Sequence, residues 1–337
     1  MKIHTLLFAA ALAVLSVRAA EPVPVIFDTD MGNDIDDAMA LVILTQLAQR
    51  GAVDILAVTS SKDHPLSAPY IDALNTYYGF PEVPIGAVRN GATPEEGRYS
   101  AVAKRKSSGG DLLYPHDVNS GEEVPDAVSL LREKLSEAKD GSVVLMQVGF
   151  FTNLARLLDS PPDDISEKSG KDLITQKVKR TIIMAGSFAP IRQNTRYIEY
   201  NVIKDIPSAQ RLADDWPGEL VWSGFEIGIA SPYPWESIAS DFDYLPNHLL
   251  KESYISWVQG KEVDRPTWDL SVVLHGAYPE RQYFDESALG KVTVDDRGHT
   301  DFEVNKDGND RYLMMSDLQA ARVVEAYIQL CSEPPRP

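Results

Sequence analysis

Short apolar runs at residues 23–27, 53–59 and 83–86, separated by helix-length segments at 35–50 and 68–78, constrain this chain more than any other feature. The runs are rich in β-branched residues and show no wet face, which predicts strands buried on both sides. Strand–helix–strand alternation of this kind demands a parallel sheet covered by helices. The rhythm resumes with a helix at 127–138, a strand at 142–148, a helix at 151–158, a strand at 178–184, a helix at 206–214 and an extended piece at 220–223. The chain after Pro246 is expected to be mainly helical as far as His275. Residues 281–315 read as antiparallel strands, with turns at Asp295-Asp296-Arg297-Gly298 and Lys306-Asp307-Gly308, before a last helix over 317–330. The expected fold class is α/β: an open, mostly parallel sheet with helices on both faces and a smaller C-terminal antiparallel element. No repeat or linker divides residues 21–337, so one domain is expected.

Three segments interrupt the pattern. Residues 89–119 are rich in Gly, Ser, Lys and Arg and read as a long mobile loop able to fold over a site. Residues 161–171 are a polar excursion, and 185–201 a second long loop. The formal charge of -18 argues against nucleic acid or anionic membrane as a partner, because both require basic surface. The single cysteine, Cys331, rules out an internal disulfide, a zinc–thiolate cluster and a thiol redox pair, and its Pro-rich surroundings suggest a tail that frays. Lys2, the apolar run 6–17 and the small residues around Val17-Arg18-Ala19-Ala20 read as a secretory signal removed from the mature protein. A periplasmic or secreted protein, with no membrane in its mature form, is the expectation.

Asp28, Asp30, Asp34, Asp36 and Asp37 fall within ten residues, where a strand ends and a helix begins. In open parallel sheets this is where ligands bind. Packed carboxylates repel, so some must take up protons or share a cation. With no Cys or His nearby, the ligand set is all oxygen, which suits Ca2+. Capping of the helix accounts for Asp34, Asp36 and Asp37 without any metal, but not for Asp28 and Asp30 on the strand side. Phe27-Asp28-Thr29-Asp30-Met31-Gly32 also resembles the first motif of haloacid dehalogenase-type phosphatases, with Asp28 as nucleophile. The downstream Lys and strand-end acidic pair of that family have no convincing counterpart here.

Asp28-Thr29-Asp30-Met31-Gly32-Asn33-Asp34-Ile35-Asp36-Asp37-Ala38 resembles the Asp-Thr-Asp-Pro-Gly-x-Asp-Asp-Ala hallmark of the inosine-uridine nucleoside hydrolase family, with two extra residues and Met31 in place of Pro. Gly149-Phe150-Phe151-Thr152-Asn153-Leu154-Ala155 is similar to that family's Gly-Pro-Leu-Thr-Asn segment. Met184-Ala185-Gly186, then Glu199-Tyr200-Asn201 and Asp205, resemble its Met-Gly-Gly and Glu-Phe-Asn-x-x-x-Asp, and Trp268-Asp269 its His-Asp or Trp-Asp pair. All four occur in the family's order across residues 22–275.

The resemblance implies a calcium-dependent hydrolase that cleaves the N-glycosidic bond of ribonucleosides. Asp30, Asp37, Asp269 and the Thr152 carbonyl would bind Ca2+, and Asp30 would also be the general base toward water. Asp36, Asn194, Glu199 and Asn201 would hold the ribose hydroxyls, and Met184 joins them as a substrate-binding residue. Trp268 would stack on a flat leaving base or simply pack its helix. The general acid is unassigned: His64, His116 and His275 are candidates, the last read as a buried structural histidine. Ser61-Lys62-Asp63-His64 stands where the family usually has Gly-Asn. Glu226 reads as an orienting group for Asp269 or a metal ligand, Asp34 as a helix cap or an extra ligand, and Lys104-Arg105-Lys106 as a solvated run or a phosphate contact. The family often forms homo-oligomers, though no segment here reads as the interface. Two other readings remain: a calcium-dependent nucleoside-binding protein without turnover, and the phosphatase.

Overall fold

The structure, a computed structural model, describes residues 21–335; the segment read as a secretory signal lies outside them. The strands are β1 (Val23–Thr29), β2 (Val53–Lys62), β3 (Ile85–Ala92), β4 (Val143–Gln147), β5 (Val178–Met184), β6 (Leu220–Ser223), β7 (Pro232–Tyr233), β8 (Arg265–Pro266), β9 (Asp285–Glu286), β10 (Gly290–Val294), β11 (Thr300–Val304) and β12 (Asp310–Met314). The main sheet runs β11-β10-β12-β6-β5-β4-β1-β2-β3, with β9 beside β12, while β7 and β8 form a separate ribbon. From β3 across to β6 every pairing is parallel.

Helices cover both faces, as the unbroken apolar runs require. Successive side chains of β1 point to opposite sides: Val25 and Phe27 join one core and Ile26 the other. The helix Asp36–Gln49 is buried from Asp36 to Leu47 and packs with Asp269–Ala277 and Asp317–Ser332 on the first face. The helices Ala127–Glu137, Thr152–Asp159 and Ile206–Asp215 contribute to the opposite core.

The α/β expectation is borne out, with differences in detail. β12 pairs in parallel with β6, so the C-terminal strands extend the main sheet instead of forming a separate element; β10 and β11 are antiparallel as expected. The segment expected to be helical up to His275 is two helices, Leu249–Trp257 and Asp269–Ala277, separated by β8. Strand β3 runs on through Arg89, Asn90 and Gly91, which looked like loop because they are polar. The long segment after it is anchored by buried Tyr99, Val102 and Tyr114. Cys331 does not lie in a frayed tail. It is fully buried in the last helix, and burial pushes its thiol pKa far up. Among the described residues no helix is long and apolar enough to cross a membrane.

Cys331 should therefore resist a thiol reagent in the folded protein and react at once in urea. Cys331→Ser, which puts a hydroxyl into an apolar setting, should cost about 1–3 kcal/mol in urea unfolding.

Candidate active site

After β1 the chain makes a tight turn and enters the helix at Asp36. Because β1 lies between β2 and β4, this turn occupies the position where strand order reverses, and a crevice opens beyond such a point. Gly32 makes the turn feasible. Its φ is +117°, and a Cβ there would sit 2.6 Å from Ser100 Oγ. The Gly32 N–H donates to the Tyr99 hydroxyl at 2.8 Å, tying the turn to the long segment after β3.

Three buried carboxylates, Asp36, Asp37 and Asp269, each bring an oxygen within 4.8 Å of the others. The first two open one helix and the third opens another. Asp36 Oδ2 accepts from the backbone N–H of Trp268 at 2.8 Å and of Asp269 at 3.4 Å, so it holds the start of the second helix against the first. The Thr29 hydroxyl donates to Asp37. Asp30 completes the floor, and its Oδ2 accepts from Asn33 Nδ2 at 2.6 Å.

Burial is the largest influence on every one of these acids, and it favours the neutral form. Asp30 is pushed up to about 6 by burial, against the lowering effect of hydrogen bonds from Asn33 and Asp37 and of the Lys62 charge. Asp37 is raised well above the usual range by burial and then by Asp30 and Asp36. Asp269 is raised by burial and then by Asp36, Asp37 and Asp30. Asp36 is raised by burial and by Asp34, with Arg265 opposing. A shared cation offsets the burial and the mutual repulsion of these acids together, and the donor set is entirely oxygen, so the cluster fits a hard divalent ion.

The four carboxylates face a cleft of about 570 Å³. One side carries Met184, Glu199 and Asn201. Glu199 accepts from the N–H groups of Asn201 at 2.8 Å and Val202 at 3.1 Å, capping a short helix, and burial pushes it up to about 7. Asn201 Nδ2 donates to the carbonyls of Val148 at 3.0 Å and Met184 at 3.3 Å. The other side is aromatic: Tyr197 lies 4.2 Å from Phe225, and Phe225 lies 5.0 Å from Trp268 between ring centroids. The Arg265 guanidinium sits between the Trp257 ring at 4.3 Å and the Trp268 ring at 5.0 Å, and pairs with Asp34. A larger groove, about 920 Å³, lies at the opposite end of the strands between Pro24, Ile55 and Phe80, away from the acidic cluster.

The sequence-derived candidates divide accordingly. Asp30, Asp36, Asp37, Met184, Glu199, Asn201, Trp268 and Asp269 come together around the cleft. Thr152 is buried at its helix start, where its hydroxyl donates to Asp205 at 2.6 Å, and it is not one of the cleft-lining residues. Asn194 is exposed in a tight turn whose backbone closes on Ile191, and its Oδ1 accepts from the Arg196 N–H at 2.9 Å. It too lies outside the lining, because that loop folds back on itself. Asp28 is turned away from the cleft: Thr59 at 2.5 Å and Asn153 at 2.7 Å hold its carboxylate, which removes it as an accessible nucleophile. Trp268 is 8% exposed, with Phe225 and Arg265 packed against it.

Among the described residues no histidine reaches the lining. His275 is buried and bonded to Glu286 at 2.8 Å, as its sequence position suggested. Asp34 is engaged by Arg265 instead of capping the helix. Glu226 accepts from the Phe188 N–H at 3.3 Å and so braces the 185–199 loop, not Asp269. Arg105 pairs with Glu252 at 2.5 Å; the basic residue that does reach the cleft from this segment is Arg98. Tyr197, Phe225, Trp257 and Arg265 were missed. They come from a loop, the start of one helix, the end of another and the short strand β8, with no repeating pattern, and only the density of aromatics with arginine pointed to them.

A comparison with known proteins agrees with this geometry. The model of the inosine-uridine preferring nucleoside hydrolase family matches residues 25–308. An uncharacterized protein of Schizosaccharomyces pombe, C1683.06c, is 25% identical over 193 residues, which is 56% of this chain and 56% of that protein. The chain thus spans little more than half of that curated relative. Among solved structures, the plant nucleoside hydrolase PpNRh1 superposes with a TM-score of 0.71 at 17% identity, covering 93% of this chain and 100% of that one. The purine-preferring ribonucleoside hydrolase from Gardnerella vaginalis gives 0.71 at 16% identity, covering 92% and 98%. The inosine-uridine preferring nucleoside hydrolase from Bacillus anthracis gives 0.67 at 16% identity, covering 92% and 99%. These structures share the fold, and the family match over most of the length establishes that the chain belongs to the inosine-uridine preferring nucleoside hydrolase family.

Proposed function

We propose that the protein is a calcium-dependent hydrolase that splits the N-glycosidic bond of a ribonucleoside into base and ribose, with Asp30 as general base. The observation that carries this reading is the convergence of Asp36, Asp37 and Asp269 beside Asp30 on the floor of a cleft with one polar and one aromatic wall. Asp30, Asp37 and Asp269 would hold the ion, with the Thr152 carbonyl as an expected further ligand; when bound, it supplies a polarising charge that makes water easier to deprotonate and grips vicinal hydroxyls.

Asp30 takes the proton from the attacking water. Asn201 spends its amide N–H groups on two backbone carbonyls, which leaves Oδ1 to accept from a sugar hydroxyl. Glu199, anchored by backbone N–H groups, orients a second hydroxyl. Asp36 fixes Asp269 through the helix start, so its contribution to sugar binding is made from an already hydrogen-bonded position. Such a grip is effective because positive charge develops on the sugar as the bond to the base breaks. The departing base leaves against Tyr197, Phe225 and the edge of Trp268, where aromatic contact is available to a flat ring. Export to the periplasm or beyond, read from residues 1–20, belongs to the same proposal and suits scavenging of nucleosides.

Base release from a panel of inosine, guanosine, adenosine, uridine and cytidine tests the reading. Release should require calcium, stop with a chelator, and fall about 10²- to 10⁴-fold in kcat in Asp30→Asn. Calcium binding without release from any nucleoside would favour a binding protein. Melting temperature gives a second check. The acids have folded pKa values above their unfolded value of about 4, so the folded state without metal holds extra protons. Its stability is then greatest at low pH and declines as pH rises through about 6 to 7, the range of Asp30 and Glu199. The chelated protein should melt at progressively lower temperature from pH 5 to pH 7.5. Calcium should flatten that slope by removing the share of Asp30, Asp37 and Asp269 and leaving that of Glu199, and a slope unaffected by calcium would count against a cation at these carboxylates.

A further inference from the structure

Two departures from the family's pattern, the insertion containing Asn33 and the replacement segment containing Lys62, meet in space. Lys62 is 1% exposed, yet it pairs with no carboxylate at salt-bridge distance among the described residues. Its ammonium donates instead to Asn33 Oδ1 at 2.8 Å and to the Thr93 carbonyl at 2.7 Å. An ammonium can only donate, so the Asn33 carbonyl oxygen must face Lys62. The Asn33 NH₂ group then has one direction left. It donates to Asp30 Oδ2 at 2.6 Å and to Thr93 Oγ1 at 3.2 Å.

The surrounding backbone is arranged for this contact. The register of β2 against β3 shifts between Ser60 and Lys62, a local irregularity of the kind that re-aims a side chain. Thr93, buried and β-branched, has a φ of +51°, which is sterically costly for such a residue and persists only where the surroundings hold it. Both the hydroxyl and the carbonyl of Thr93 are used in the contact. Asn33 is also fixed through its backbone: its N–H donates to the Asp30 carbonyl at 3.3 Å, and its own carbonyl accepts from Trp257 Nε1 at 3.2 Å.

We propose that Asn33, oriented by Lys62 and Thr93, is a positioning residue that holds the Asp30 carboxylate in one rotational state so that its remaining lone pairs meet the attacking water. Without this contact the Asp30 carboxylate keeps its place beside the other acids but loses the amide donor that fixes its rotation, so its lone pairs no longer meet the water in one orientation. Lys62 orients Asn33, adds the direct influence of its charge on Asp30, and is not among the residues lining the cleft.

The inference rests on the hydrolase reading and on Asp30 as its base. The experiment uses the mature protein, the best nucleoside of the panel above, and the variants Asn33→Ala, Lys62→Met and the double variant. Steady-state kinetics is paired with calcium titration by calorimetry. Asn33→Ala should lower kcat about 10- to 100-fold, the usual consequence of removing a group that orients a functional residue, while KM and calcium affinity stay within about threefold. The double variant should lose much less than the product of the two single losses, since the orienting role of Lys62 works through the residue already removed. An active parent whose Asn33→Ala keeps its kcat overturns the positioning role alone. Loss of calcium affinity in step with kcat, or independent effects that multiply in the double variant, overturns it as well. A parent that binds calcium and releases no base removes this inference together with the reading beneath it.

Discussion

Mutual repulsion among buried carboxylates is the constraint on which this structure turns. Asp30, Asp36, Asp37 and Asp269 are each at most 4% exposed, and no basic side chain forms a salt bridge with any of them among the described residues. A floor of this kind opposes folding unless protons or a cation offset it. What the protein supplies by itself is a set of neutral donors: the Thr29 hydroxyl to Asp37, the Asn33 amide to Asp30, and two backbone N–H groups to Asp36. These fix where the oxygens point without neutralising them, so a charge deficit remains for an ion to fill.

The aromatic side of the cleft solves a different problem. Arg265 lies between two indole rings and pairs with Asp34, which joins the acidic turn, the helix ending at Trp257 and the segment before Trp268 in one contact. A guanidinium suits this place because it is planar, remains charged and stacks on aromatic faces. Gly228 permits the arrangement: a Cβ at that position would lie 2.2 Å from the Trp268 ring. The indole is therefore a fixed wall with little freedom to adapt, and the neighbouring rings of Phe225 and Tyr197 provide the remaining aromatic surface.

Much of this was legible before any coordinates. Parallel strands buried on both faces announce themselves as continuous apolar runs, and β5 and β6 begin and end where the sequence places them. The antiparallel reading of β12 holds toward β9 and β10, but its parallel pairing with β6 was missed, because β6 is about 90 residues away in sequence and leaves no local trace. The acidic cluster was visible because three of its members, Asp30, Asp36 and Asp37, are near neighbours in the chain. The residues that orient it were not, since Lys62, Thr93 and Arg265 reach it across 29, 60 and 231 positions. Asn194 shows the limit of a motif: alignment gives the order of residues, while the turn at Ile191–Asn194 places this one outside the cleft lining.

The bond from the Trp268 N–H to Asp36 spans 232 positions, and it brings Asp269 to the other acids. During synthesis, the acidic turn leaves the ribosome long before its partner does. Through that interval the nascent chain carries only the N-terminal carboxylates, solvated and unable to enclose an ion with Asp269. A cation site that includes Asp269 can therefore close only when the C-terminal third has docked, in the same event that completes the tertiary structure.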